Sequence, residues 1–313
     1  MKHILGIGRK TVVRDDAAKS REHPVDLLIE LTDSEHAQYE RAYTPISRFS
    51  HDSELFRVVL RNYQSFYDAL YDQLQSYIQR LENSFTPRNA YMEINRHLMN
   101  WLSSVRTFLD HLESAIKKEH GEDSALWRDV RQACEQAYDD SFSYRFLYKL
   151  RNYAQHAGLP AGSVDFSTFA SDADPAKPQY KLLVGCNTDN LLNSYDGWTA
   201  AFRAELAQQP EHIEIAPHVD AVMRSLEQIN MVFMRGGFTA LRTSAEYVRD
   251  LFDRLPETDD ARCLFDVEFV YDDAGKVKSM SRIAIHPTDL VLVTAIANNR
   301  VEDVTGKFEV SGL

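Results

Sequence analysis

Apolar residues recur at steps of three and four over 56–81: Phe56, Val59, Leu60, Tyr63, Phe66, Leu70, Leu74, Tyr77, Ile78 and Leu81. That period predicts an amphipathic helix of about seven turns. Thr86-Pro87 ends it. A second helix is predicted at about 90–118, with Ile94, Leu98, Leu102, Val105, Leu109, Leu112 and Ile116 as its buried stripe. Lys117 and Lys118 suit its negative C-terminal end, and Gly121 stops it. A third helical stretch runs over 123–156, with a break expected near Asp139-Asp140-Ser141. Gly158 and Pro160 close it.

The flanks differ. Residues 1–50 are mixed in pattern; 25–31 (VDLLIEL) predicts a strand and 14–24 (RDDAAKSREHP) a loop. Gly162, Asp172, Asp174, Pro175 and Pro178 make 161–180 loop-like. The main boundary is placed there, dividing the chain into 1–165 and 166–313. Beyond it, 181–184 (KLLV) is a short strand candidate. Helices are expected at 194–209, 217–235 and 238–254, with Gly236-Gly237 separating the last two. CLFDVEFVYDD and KVKSMSRIAI flank Asp272-Asp273-Ala274-Gly275, which predicts a β-hairpin. The stretch 289–298 (DLVLVTAIAN) fits a helix or a strand. The class is α+β, mainly α.

The chain has 313 residues, enough for one large domain or two, and 44% hydrophobic with 26% charged residues is globular composition. No run approaches the roughly 18 apolar residues of a membrane helix, and the apolar stretch in MKHILGIGRK is too short for a signal peptide. Cys134, Cys186 and Cys263 form neither a disulfide framework nor a zinc cluster. A cytoplasmic location, away from membranes, is expected. Lys and Arg number 35 against 47 Asp and Glu, a net charge of −12, which argues against a broad nucleic-acid-binding surface. Any such role must rest on a local constellation.

One constellation stands out at 144–156 (YRFLYKLRNYAQH). On a helical wheel Phe146, Leu150, Tyr153 and Ala154 share a core side. Arg145, Tyr148, Arg151, Asn152 and His156 fall on the other half. Asn152 and His156 are four apart and therefore neighbours. Arginine, amide and histidine suit RNA cleavage by the 2′-hydroxyl. Imidazole is a base near neutrality, and a guanidinium fork holds the negative charge that builds on phosphorus. That chemistry needs no metal and no cofactor, and none is expected.

Arg151-Asn152, three residues, then His156 at the end of a long helix resembles the motif of the HEPN superfamily. The resemblance extends over about 53–160, including NRHLMNWLSSVRTFLDHLE. It implies a HEPN-like helical bundle followed by a helical segment and the β-hairpin. It also implies a metal-independent endoribonuclease of bacterial anti-phage defence or toxin–antitoxin control, leaving 2′,3′-cyclic phosphate ends. Arg151, Asn152 and His156 would be catalytic. Arg145, Tyr148 and Lys149 would contact RNA, tRNA among the classes. The protein would be a homodimer whose paired motifs make one basic cleft, with an antitoxin or defence protein as partner. Such toxins often carry Tyr two residues after the His; here that position is Gly158, which departs from the pattern.

Other readings stay open. Arg106 and His111 repeat the spacing on the second helix and are secondary candidates, against a solvated face or a buried hydrogen-bonded His. Arg151 and His156 also fit a helix cap with a salt bridge, or a HEPN-type sensor module that only binds. Acids at Glu246, Asp250, Asp253, Glu257, Asp259 and Asp260 fit a nucleic-acid mimic. Gly6-Ile-Gly8-Arg-Lys-Thr lacks the spacing of a phosphate loop. Asp139-Asp140 suit a solvated kink better than a metal pair, and Glu93 and Asn95 suit capping or support of the site. Tyr63, Tyr67, Tyr71 and Tyr77 suggest a dimer interface.

Overall fold

The protein was analysed as a computed structural model, which describes residues 1–8, 25–79, 87–170 and 178–304. The loop expected at 14–24, the Arg-Lys-Thr end of the Gly6 run, Thr86 and the Asp172–Pro175 stretch lie outside the described residues. In chain order the elements are β1 (Lys2–Gly8), β2 (Val25–Glu30), α1 (Asp33–Gln79), α2 (Pro87–His120), α3 (Ala125–Asp140) and α4 (Phe142–His156). Then come β3 (Ser163–Ala170), β4 (Pro178–Asn187), α5 (Thr188–Ser194), α6 (Ala200–Leu206) and β5 (His212–Glu214). The last are α7 (Ala216–Phe252), β6 (Ala261–Tyr271), β7 (Val277–Pro287) and α8 (Leu290–Ala297). The chain is mainly helical with two small antiparallel sheets, an α+β protein. Among the described residues no helix is long and apolar enough to cross a membrane.

The chain forms two compact units, Met1–His51 with Met234–Leu313, and Asp52–Phe233. The first holds a four-stranded sheet of order β2-β1-β6-β7. Ile4, Cys263, Phe265 and Val267 form a buried cluster on one face, joined by Val25, Leu27 and Phe269. Leu5 and Leu264 are opposite one another across β1 and β6 and are buried on the other face. Gly275, at φ +76°, turns the β6–β7 hairpin as expected.

The second unit holds α2, α3 and α4 packed together, and a sheet of order β3-β4-β5. Ile94, Leu98, Leu102, Leu112 and Ile116 are buried, as the stripe on α2 predicts. The expected break between α3 and α4 falls at Ser141, whose Oγ accepts the Tyr144 N–H at 3.2 Å. A serine cap of this kind begins a new helix instead of continuing the old one.

The structure corrects several expectations. α1 begins at Asp33, well before residue 56. A capping box starts it: Thr32 N–H and Oγ1 donate to Glu35 at 2.8 and 2.9 Å, and Glu35 N–H donates back to Thr32 Oγ1 at 3.2 Å. Gly236-Gly237 does not break α7, which runs through it. A Cβ at Gly237 would overlap the Phe49 ring, so this glycine permits close packing in the first unit. Of the helix expected at 194–209 only α6 forms: α5 already ends at Ser194, and Thr199 starts α6 afresh by accepting from Phe202 N–H. Most of the 161–180 loop is strand: Ser163–Ala170 pairs in full register with β4, and residues 165 and 166 are neighbours within β3. The tyrosines of α1 serve the second unit itself. Tyr63 and Tyr67 donate to Asp220, Tyr77 stacks on Phe166 at 4.9 Å, and only Tyr71 of the four is exposed.

Candidate functional site

The wheel expected on α4 is met in part: Phe146 and Leu150 are buried, but Tyr153 and Ala154 are only partly so. Tyr144, Phe146, Leu147 and Leu150 are buried. Asn152 and His156 are exposed, and Arg151 is half-buried. α4 ends at His156, where the Ala157 and Gly158 N–H groups both donate to the Tyr153 carbonyl.

The chain beyond is clamped to α2. Asn95 is 1% exposed. Its Oδ1 accepts the Ala161 N–H at 2.8 Å, and its Nδ2 donates to the carbonyls of Ala161 at 3.2 Å and Tyr91 at 3.0 Å. Asn95 thus fixes where the motif-bearing end of α4 leads. Asn95→Leu strands two buried backbone groups of Ala161, and is expected to lower unfolding free energy by about 3 kcal/mol in a urea titration. Glu93 instead pairs with Arg96 at 2.6 Å on the surface.

Arg151 Nη1 donates to Gln155 Oε1 at 2.6 Å and to Asn152 Oδ1 at 3.4 Å. Its Nε is buried and has no acceptor among the described residues. Arg106, Tyr148 and Arg151 line one cleft, walled by Trp101, Val105, Tyr144, Leu147 and Val222. The Trp101 indole N–H, fully buried, likewise has no acceptor. The free space is about 20 Å³, room for one water. Arg106 donates to the Tyr148 hydroxyl, its guanidinium lies 5.2 Å from the Tyr148 ring centre, and its Nε binds Asp110 at 2.8 Å. The structure therefore joins the primary and secondary arginines at one place. His111 is exposed on α2 and does not line the cleft.

The other two RNA-contact candidates are engaged inside the second unit. Arg145 forms a two-pronged pair with Glu205, at 2.6 and 3.1 Å, and donates to the carbonyls of Tyr138 and Asp139. This pairing with Glu205 holds the Arg145 guanidinium more firmly protonated than usual. The Lys149 ammonium lies 5.4 Å from the Phe202 ring centre. Burial pushes the Cys134 thiol up to about 11, away from the thiolate form.

A second cluster escaped the sequence reading, which expects no metal site. In the first unit His3, His36, Asp266 and His286 come together from β1, α1, β6 and β7. Residues so far apart in sequence carry no ligand spacing to detect. Neither a family model, nor a curated protein, nor a solved structure matches this chain.

Proposed function

We propose that the second unit is a HEPN-like bundle acting as a metal-independent endoribonuclease, in bacterial anti-phage defence or toxin–antitoxin control. The observation that carries this reading is the cleft in which Arg106, Tyr148 and Arg151 meet, beside Trp101. Two arginines beside space for a single oxygen suit one phosphoryl oxygen. A base or sugar must then lie outside, over the exposed Asn152 and His156. In this mechanism His156 takes the proton from the 2′-hydroxyl. The 2′-oxygen attacks phosphorus, the arginines hold the charge of the phosphorane, and the 5′-oxygen leaves with a proton from water. Asn152 orients the reacting groups. A dimer would set two such sites face to face, so that the arginines of both share one cleft on an otherwise acidic body.

A second reading is a non-catalytic interaction or sensor module on the same bundle. The pairing of Arg145 with Glu205 and of Arg106 with Asp110 favours it, since both cations already have anionic partners. Incubation of the chain with total RNA and tRNA in EDTA, followed by end-group analysis, separates the two. Cyclic-phosphate ends from wild type, and none from His156→Ala, are expected. No cleavage by a folded dimer overturns the nuclease reading in favour of the module.

A further inference from the structure

Four metal-competent side chains of the first unit converge although each comes from a different element. His3 and Asp266 are directly opposed across β1 and β6. His286 is two residues along β7 from Ala284, the partner of Asp266, so it projects from the same face of the sheet. His36 reaches that face from the first turns of α1, its ring stacked on His3 with centres 3.4 Å apart and planes 7° apart. Asp266 joins the set: Oδ1 is 2.6 Å from His3 Nδ1, and Oδ2 is 2.8 Å from His286 Nε2.

We propose that His3, His36 and Asp266 bind a divalent transition-metal ion of the zinc class, with His286 as the fourth ligand. One donor atom from each of the first three lies within 4.8 Å of the others. Zinc bonds of about 2.0–2.1 Å in a tetrahedron need donors roughly 3.3 Å apart, so the side chains draw inward on binding. Imidazole with carboxylate is the donor set that zinc, cobalt and nickel accept, and calcium and magnesium do not favour. The side chains of His3, His36 and Asp266 are 20%, 20% and 19% exposed, and His286 is 49% exposed. All four are partly accessible, and His286 is the most exposed, which gives an ion its way in.

The protonation states also suit ligation. Burial, then the neighbouring His3, lowers the pKa of His36 and favours its neutral ring. Burial opposes ionisation of Asp266, but the hydrogen bonds from His3 and His286 outweigh it and hold the carboxyl below its ordinary range. Glu40 lies 3.8 Å from His36 Nε2. The ion would tie β1, the start of α1, β6 and β7 together.

The test uses the full chain without an affinity tag, stripped with EDTA and then dialysed free of it. Zn²⁺ is titrated in competition with a chromogenic chelator, and Co²⁺ is used as a spectroscopic probe. The expected result is one Zn²⁺ per chain, a tetrahedral Co²⁺ absorption band, and a Tm that rises by several degrees with Zn²⁺. His36→Gln and Asp266→Asn should each weaken binding at least tenfold. His286→Ala, at a half-exposed position on an edge strand, should do so with the fold intact. Absence of saturable binding by wild type, or affinity unchanged in His286→Ala and His36→Gln, overturns the site. Neither binding nor melting depends on RNA cleavage, so the outcome is independent of the nuclease reading.

Discussion

Arg151→Ala is expected to lower RNA cleavage by about 100- to 1,000-fold, the usual cost of removing one donor from a developing anion. Its effect on stability should be under about 1 kcal/mol, because its hydrogen bonds go to the exposed side chains of Asn152 and Gln155. Alanine is also a better helix former. Arg145→Ala should behave in the opposite way. It removes a two-pronged pair with Glu205 and two backbone contacts at the α3–α4 junction. A loss of roughly 2 kcal/mol is expected, with the cleavage rate per folded molecule nearly unchanged. Single-turnover rates and melting curves on the two variants separate catalysis from architecture. Full cleavage by folded Arg151→Ala would end the nuclease assignment of that residue.

Gly6→Ala is expected to cost more than about 3 kcal/mol, against near neutrality for Gly8→Ala. The two glycines are two residues apart on β1. At Gly6, where the β1–β2 register shifts, a Cβ would overlap the carbonyl oxygen of Asp26. That oxygen belongs to backbone paired within the sheet and cannot step aside. At Gly8 the nearest atom, the Ala261 carbonyl oxygen, would be 3.8 Å away, an ordinary contact. Hydrogen exchange should show lost protection in β1 and β2 of Gly6→Ala, with α2 and α4 protected as before. Equal stability of the two variants would refute this account of Gly6.

What the sequence discloses follows from the range of the interactions. The stripe on α2 is local and periodic, so Ile94 to Ile116 could be placed before any coordinates were known. Ser141 and Gly275 announce themselves because a cap and a tight turn act within a few residues. Gly237 misleads, since the same residue that ends a helix also lets two helices touch; its Phe49 neighbour is remote in sequence. The beginning of α1 is hidden because its early turns are largely polar, and the Thr32–Glu35 box is the signal that marks it. In the candidate site, Arg151, Asn152 and His156 share one helix and are legible together. Arg106 joins them only through the packing of α2 on α4. Glu205, which engages Arg145, is 60 residues downstream, and no local pattern points to it. The histidines around Asp266 are invisible for the same reason.

The first unit is built from both ends of the chain, and this orders its synthesis. His3 meets Asp266 across a separation of 263 residues. At roughly 5–20 residues per second, β1 and β2 wait some tens of seconds on the ribosome for the strand that completes their sheet. The second unit, a continuous stretch from Asp52 to Phe233, emerges whole in that interval. Until then β1 lacks the β6 strand it pairs with, and an unpaired strand edge is prone to join other chains. Chains that stop before Ala261 leave β1 without the strand β6 that pairs with it, although the second unit is already complete.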